Sequence, residues 1–132
     1  MIYLNTPTED LSVYQIRKIV CETIKWCETN VKKKKKSRRL SFHVCTQKES
    51  PVDLFGQYVS DKHKIYVYRN HCKTVKHVVK TTLHEYCHHT QDLELYNLLL
   101  FAVGYRRHPQ EIEAKKTEKL YSPCWKEIKH NI

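Results

Sequence analysis

The chain has 132 residues, 40% of them hydrophobic, which suits one compact domain and excludes a disordered tail. Its 2 glycines are too few for a phosphate-cradling loop, a dinucleotide fingerprint or a nucleophile elbow, so nucleotide-dependent enzymes and elbow-type serine hydrolases are disfavoured. Net charge is +10, but Lys32, Lys33, Lys34, Lys35, Lys36, Arg38 and Arg39 supply 7 of the 24 basic residues, leaving 17 basic against 14 acidic elsewhere.

Thr6-Pro7-Thr8-Glu9 has the form of a capping box with proline in the first turn. Ile16, Ile19, Val20, Ile24 and Cys27 then recur at helical spacing, which predicts a helix over about residues 7–30. Leu40 to Cys45 alternates as a strand does, and Lys48 to Pro51 reads as a loop. Gly56 to Ser60 and Lys64 to Arg69 are rich in β-branched and aromatic residues and flank Asp61-Lys62-His63, which predicts strand, turn, strand. From Lys73 to Gln91 the period becomes helical, with Val75, Val78, Val79, Thr82, Leu83 and Tyr86 as one apolar stripe. A second apolar helix is expected over Leu93 to Val103, broken by Gly104. His108-Pro109 opens a last helix, expected to run to about Tyr121 and to stop at Ser122-Pro123. Without repeats or a long linker, these elements predict a single α+β domain over residues 1–132.

Cys21, Cys27, Cys45, Cys72, Cys87 and Cys124 are scattered with no C-x-x-C pair. The first residues lack the charged and apolar regions of a leader, so the thiols are expected to stay reduced in an intracellular, soluble protein. The longest apolar run, Leu98 to Val103, is far shorter than the roughly 20 residues of a membrane span, and no membrane partner is expected.

The chemistry lies in His84-Glu85-Tyr86-Cys87-His88, an H-E-x-x-H motif. On a helix, His84 and His88 stand one turn apart and both imidazoles can reach one ion. They lie opposite the apolar stripe, free to line a cleft. Glu85 sits about 100° around the helix, beside the ion and not on it, as a general base acting on water requires. Catalytic zinc takes three protein ligands and keeps a position for water. The third ligand has four candidates. His89 is turned off the His84/His88 face. His108 lies before the last helix. Glu111 shares a face with Lys115 and Glu118 that reads as solvent-facing. Glu113 shares a face with Thr117, Leu120 and Cys124 that reads as inward, where a carboxylate needs a partner such as a metal. Glu113 is therefore the expected third ligand of one zinc per chain, with Glu111 next.

In this pattern the chain resembles small zincin-type metallopeptidases of the gluzincin kind, especially ImmA/IrrE-like and phage-type minimal zincins. They pair H-E-x-x-H, often with glutamine three residues on, with a later P-x-E-x-E-A-like helix. Here these are His84 to Gln91 and Pro109-Gln110-Glu111-Ile112-Glu113-Ala114. The resemblance covers roughly residues 40–121. It implies a zincin-like fold, zinc held by His84, His88 and Glu113, catalysis by Glu85, and hydrolysis of a protein or peptide lying along an edge strand. Gln91 and Glu94 stand where metzincins carry glycine and a third histidine, which excludes that group. Lys115 stands where the family often has asparagine or aspartate. SprT-like DNA-linked proteases are a neighbouring alternative, although zinc-ribbon cysteines are missing.

The basic tract Lys32–Lys36, Arg38 and Arg39 reads either as a phosphate-binding segment or nuclear address, or as a solvated helix end aiding solubility. On the first reading the chain is a nucleic-acid-associated domain with a structural or vestigial zinc site. No aromatic residue interrupts the tract, which argues against base stacking there. Tyr105, Arg106, Arg107 and His108 precede the last helix as candidate donors to a developing oxyanion.

Overall fold

A computed structural model describes residues 1–31, 39–46 and 53–132. The tract from Lys32 to Arg38 and the loop expected at Lys48–Pro51 lie outside the described residues; Arg39 is exposed. The fold is α+β, with a mixed three-stranded sheet.

The first helix, α1 (Val13–Asn30), starts later than the sequence suggested. Its capping box is Ser12 with Gln15, not Thr6 with Glu9: the Ser12 hydroxyl accepts the Gln15 N–H and the Gln15 side chain accepts the Ser12 N–H. Thr8–Asp10 forms only a 3₁₀ turn, because the preceding backbone is committed elsewhere. Pro7 bridges Thr74, the Thr8 N–H donates to Lys73 O, and the buried Thr8 hydroxyl donates to Cys72 O. The N-terminal segment is thus stitched to residues 72–74, which lead into the second helix, instead of extending α1.

Strands β1 (Ser41–Cys45), β2 (Gly56–Val59) and β3 (Lys64–Tyr68) follow, in spatial order β1-β3-β2. β1 runs parallel to β3, with Val44 opposite Val67. β2 runs antiparallel to β3, with Tyr58 opposite Ile65. The β2–β3 connection is a 3₁₀ turn closed by His63 in the left-handed region at φ 47°.

Helix α2 (Val75–His89) is capped by the Thr74 hydroxyl, which accepts the His77 N–H. Its stripe of Val75, Val78, Val79, Thr82, Leu83 and Tyr86 is buried against α1 and the sheet. Helix α3 (Leu93–Val103) lies where periodicity placed it, capped by Asp92 and ended by Gly104 at φ 76°. None of its residues is buried. Helix α4 (Pro109–Thr117) is capped by His108 and gives way to a 3₁₀ turn at Glu118–Leu120, after which α5 (Tyr121–Ile128) packs Cys124, Trp125 and Ile128 into the core. Ser122-Pro123 does not end a helix. Pro123 occupies the first turn of α5, where its missing N–H leaves no helical bond unmade.

None of the six cysteines is in a disulfide, and all but Cys21 are buried. Burial pushes the Cys27 thiol well above its ordinary value and Cys124 up to about 12, as expected of core thiols and not reactive ones. Among the described residues, no helix is long and apolar enough to cross a membrane.

Candidate metal centre

Amphipathic burial of α2 decides where its polar face goes. With the stripe facing the core, His84 and His88 turn toward α4, and their rings meet edge to face at 4.9 Å between centroids. The two Nε2 atoms lie 3.2 Å apart. The Glu111 carboxylate reaches both, with Oε1 3.1 Å from His84 Nε2 and Oε2 3.1 Å from His88 Nε2. Among the described residues, His84, His88 and Glu111 are the one set of three or more such side chains whose ligand atoms converge, all within 4.8 Å.

The structure therefore brings Glu111, not Glu113, to the histidines. The face assigned to Glu113 was drawn through Leu120 and Cys124, but the helix breaks at Glu118 and that alignment does not cross the break. The side of α4 that packs on α2 carries the buried Gln110, Glu111 and Ala114. Glu113 sits one contact further out, where Oε1 accepts from Gln91 Nε2 at 2.8 Å and from Cys87 Sγ at 3.6 Å. The other two candidates are also placed elsewhere. His89 is buried with Nδ1 3.0 Å from the Tyr58 hydroxyl. His108 caps α4, its Nδ1 accepting the Gln110 N–H at 3.1 Å and its Nε2 donating to Tyr96 O at 2.7 Å.

The far side of each imidazole is held by an acceptor. His84 Nδ1 lies 2.8 Å from Glu118 Oε2, and His88 Nδ1 lies 2.7 Å from Gln91 Oε1. The Gln91 amide is oriented because its Nε2 donates to Gln110 O and to Glu113. Both Nδ1 atoms therefore carry the proton, and both Nε2 lone pairs aim at the Glu111 carboxylate and at each other. Three electron-pair donors converging on one point require a cation. Without a metal, a proton serves. Burial alone would lower His84, but hydrogen bonds to Glu111 and Glu118 outweigh it and push it up to about 9. Burial would lower His88 as well, but its hydrogen bond to Glu111 and the charges of Glu85 and Glu111 outweigh it and raise the imidazole. Burial would raise Glu111, yet the two imidazoles and the Tyr96 hydroxyl hold it well below the usual carboxylate range. The donor set, two imidazoles and a carboxylate with the Nδ1 atoms braced, fits a zinc-type ion.

Glu85 follows His84 and turns toward β2. The Phe55 O···H–N Tyr68 bond, at 2.9 Å, sets the alternation along the β2–β3 ladder, so the polar groups of Gly56 and Tyr58 face outward. The Tyr58 N–H donates to the Glu85 carboxylate. Burial raises the Glu85 carboxyl above its ordinary value, against the lowering by His84 and His88. Close approach requires glycine at position 56: a Cβ there would lie 2.5 Å from Thr81 Cγ2, 2.9 Å from Tyr66 O and 3.4 Å from Glu85 Cγ.

A cavity of about 310 Å³ opens over these groups, between β2 and the segment carrying Tyr96 and Tyr105. Its wall includes His84, Glu85, His88 and Glu111. The Tyr96 hydroxyl donates to Glu111 Oε2, and its ring lies edge to face with His88 at 5.6 Å. Of the four oxyanion candidates before α4, Tyr105 lines the cavity; Arg106 and Arg107 are exposed and His108 is the buried cap. Sequence reasoning missed Glu118 and Tyr96 as site residues. The spacing of seven between Glu111 and Glu118, two full turns, was the available signal.

Comparison with known proteins returns no matching protein-family model, no matching curated protein and no matching solved structure.

Proposed function

We propose that the chain is a zincin-like, zinc-dependent peptide hydrolase. The observation that carries this reading is the convergence of His84 Nε2, His88 Nε2 and the Glu111 carboxylate, with the buried Glu85 carboxylate beside them on the same cavity wall. His84, His88 and Glu111 would hold the ion. When bound, zinc supplies Lewis-acid polarisation of the scissile carbonyl and lowers the pKa of water.

The remaining work belongs to the chain. Glu85 accepts a proton from the attacking water at its carboxylate and later passes it to the leaving amine. Its raised carboxyl brings proton affinity closer to neutrality, as a general base and acid needs. The Tyr58 N–H fixes that carboxylate against the strand. Glu118 and Gln91 keep both imidazoles in the tautomer that presents Nε2. The outward polar groups of β2 other than the Tyr58 N–H offer an extended peptide an edge to pair with. Tyr105, on the cavity wall and hydrogen-bonded to Glu111, would donate to the developing oxyanion by exchanging that bond.

The test is metal analysis of purified protein together with a peptide-library cleavage assay, using wild type and Glu85→Gln. Stoichiometric zinc in both proteins and cleavage by wild type alone support the reading. Equal cleavage by both removes Glu85 from the chemistry.

A further inference from the structure

Helix α3 is made almost entirely of apolar residues, yet none is buried within its own chain. Leu98 is 68% exposed and Phe101 is 96% exposed. Tyr96 faces inward, bonded to Glu111 and stacked on His108 at 4.0 Å between ring centroids. At 100° per residue, Leu95, Leu98, Phe101 and Ala102 occupy the half of the helix turned away from Tyr96. Contiguous exposed apolar surface of this kind marks an interaction site. Eleven residues also make a marginal helix in water unless something packs on them.

Charge decides what covers it. The N-terminal end of α3 carries Asp92 and Glu94, and the C-terminal end is followed, after Gly104 and Tyr105, by Arg106 and Arg107, all four charged residues exposed. Asp92 already caps the helix by accepting the Leu95 N–H, which leaves Glu94 as the acid offered outward. Glu94 aligns with Leu98 and Phe101 on the outer face. A bilayer surface covering that face would have to take in the Glu94 carboxylate. A second α3 running antiparallel places Glu94 beside Arg106 and Arg107 of its partner, and the partner's Glu94 beside its own pair. That arrangement is self-complementary, as a two-fold interface requires. Opposed helix dipoles add to it.

We propose that α3 is a homodimer interface, in which two copies pair their outer α3 faces antiparallel around a two-fold axis. The seam is Leu95, Leu98, Phe101 and Ala102, and the ends are closed by Glu94 with Arg106 and Arg107. Pairing would also steady Tyr96 on the inner side of the same helix, so each metal centre would back onto the interface.

The full chain is examined by sedimentation equilibrium with circular dichroism on every variant. Wild type is expected to be a dimer in the micromolar range. Leu98→Glu, and separately Phe101→Glu, should raise the dimer dissociation constant at least about tenfold while helicity is kept. Glu94→Arg alone, and Arg106→Glu with Arg107→Glu, should weaken it similarly, because like charges then meet at both ends. The triple variant restores complementarity and should return to within about threefold of wild type. The proposal is overturned by a wild type that stays monomeric throughout the micromolar range. It is equally overturned by a dimer indifferent to the α3 substitutions, or by a folded triple variant that remains monomeric. Binding of monomeric wild type to phosphatidylserine–phosphatidylcholine vesicles, lost in Phe101→Glu, would assign α3 to a lipid surface instead. None of these readouts needs metal or turnover, so dimerisation and hydrolysis stand or fall separately.

Discussion

Gln91 Nε2 donates to Glu113 Oε1 at 2.8 Å, which turns the Gln91 carbonyl oxygen toward His88 Nδ1 at 2.7 Å. Glu113 thus reaches the candidate metal centre only through two intervening groups, whereas Glu111 touches both histidines. Glu111→Ala should abolish stoichiometric zinc binding. Glu113→Ala should retain zinc and weaken it by roughly tenfold, the lower end of what outer partners of a ligand contribute. Competition titration with a chromophoric chelator separates the two. Loss of zinc in Glu113→Ala with retention in Glu111→Ala would return the third-ligand role to Glu113.

Glu118 braces His84 as Gln91 braces His88. Glu118→Ala and Gln91→Ala are each expected to weaken zinc by about 10- to 100-fold without unfolding the chain. The same titration, with a circular dichroism spectrum of each variant, checks this. Unaltered affinity in both would mean that the Nδ1 contacts do not orient the ligands.

Glu85→Gln keeps the size of the side chain and its bond from the Tyr58 N–H but removes the proton acceptor. Zinc content and melting temperature should hold, while kcat on any cleaved peptide falls by about 10² to 10⁴. Single-turnover assays on zinc-loaded protein read the effect directly.

In the metal-free protein the His84 imidazolium is held up to about 9, above its unfolded value of about 6.5. The sign follows from linkage. A raised folded value gives stability that is full below about 6.5 and is lost as pH rises through about 9. Chelator-treated protein should therefore melt at progressively lower temperature across that window as far as this group is concerned. Zinc binding displaces the same proton, so its apparent affinity should rise over the same window. Calorimetric titration in buffers of different ionisation enthalpy measures the proton released. Binding near neutrality with no proton release would contradict the assignment.

Gly56→Ala forces a methyl group against Thr81 Cγ2 and the Tyr66 carbonyl oxygen. Overpacking of this kind costs about 1–3 kcal/mol. The variant should melt several degrees lower. Because β2 must move off α2, its activity should fall further than Thr81→Ala, which leaves the strand in place. Partial recovery of stability in the Gly56→Ala, Thr81→Ala double variant would identify the Thr81 part of the clash, the contact with the Tyr66 carbonyl oxygen remaining.

The H-E-x-x-H helix and the strands were readable because their periods are strong and local. The stripe from Val75 to Tyr86 specifies both a helix and which side of it faces the core, and that places His84 and His88 by elimination. Strand alternation likewise located β2 and β3 to within a residue or so. What failed was non-local. Two S/T-x-x-E/Q patterns compete at the N-terminus, and the pairing of Pro7 with Thr74 selects the second. Glu113 was favoured by extending one helical face across Glu118–Leu120, where the backbone tightens to a 3₁₀ turn. Tyr96 reaches Glu111 from a helix none of whose residues is buried within the chain, so no buried stripe marks its inner side. No single-helix period carries that information.

The strand order β1-β3-β2 has a consequence for colloidal behaviour. The outer edge of β2 is engaged by Glu85 and the cavity, whereas β1 has no strand partner on its outer side among the described residues. An open edge is a template on which another chain can add a strand. Lys32 to Lys36 with Arg38 and Arg39 enter β1 from its N-terminal side, within ten residues of Ser41. Seven like charges in the sequence leading to β1 repel those of another copy of the chain, and that repulsion weakens with salt over a screening length of about 8–10 Å at ordinary ionic strength.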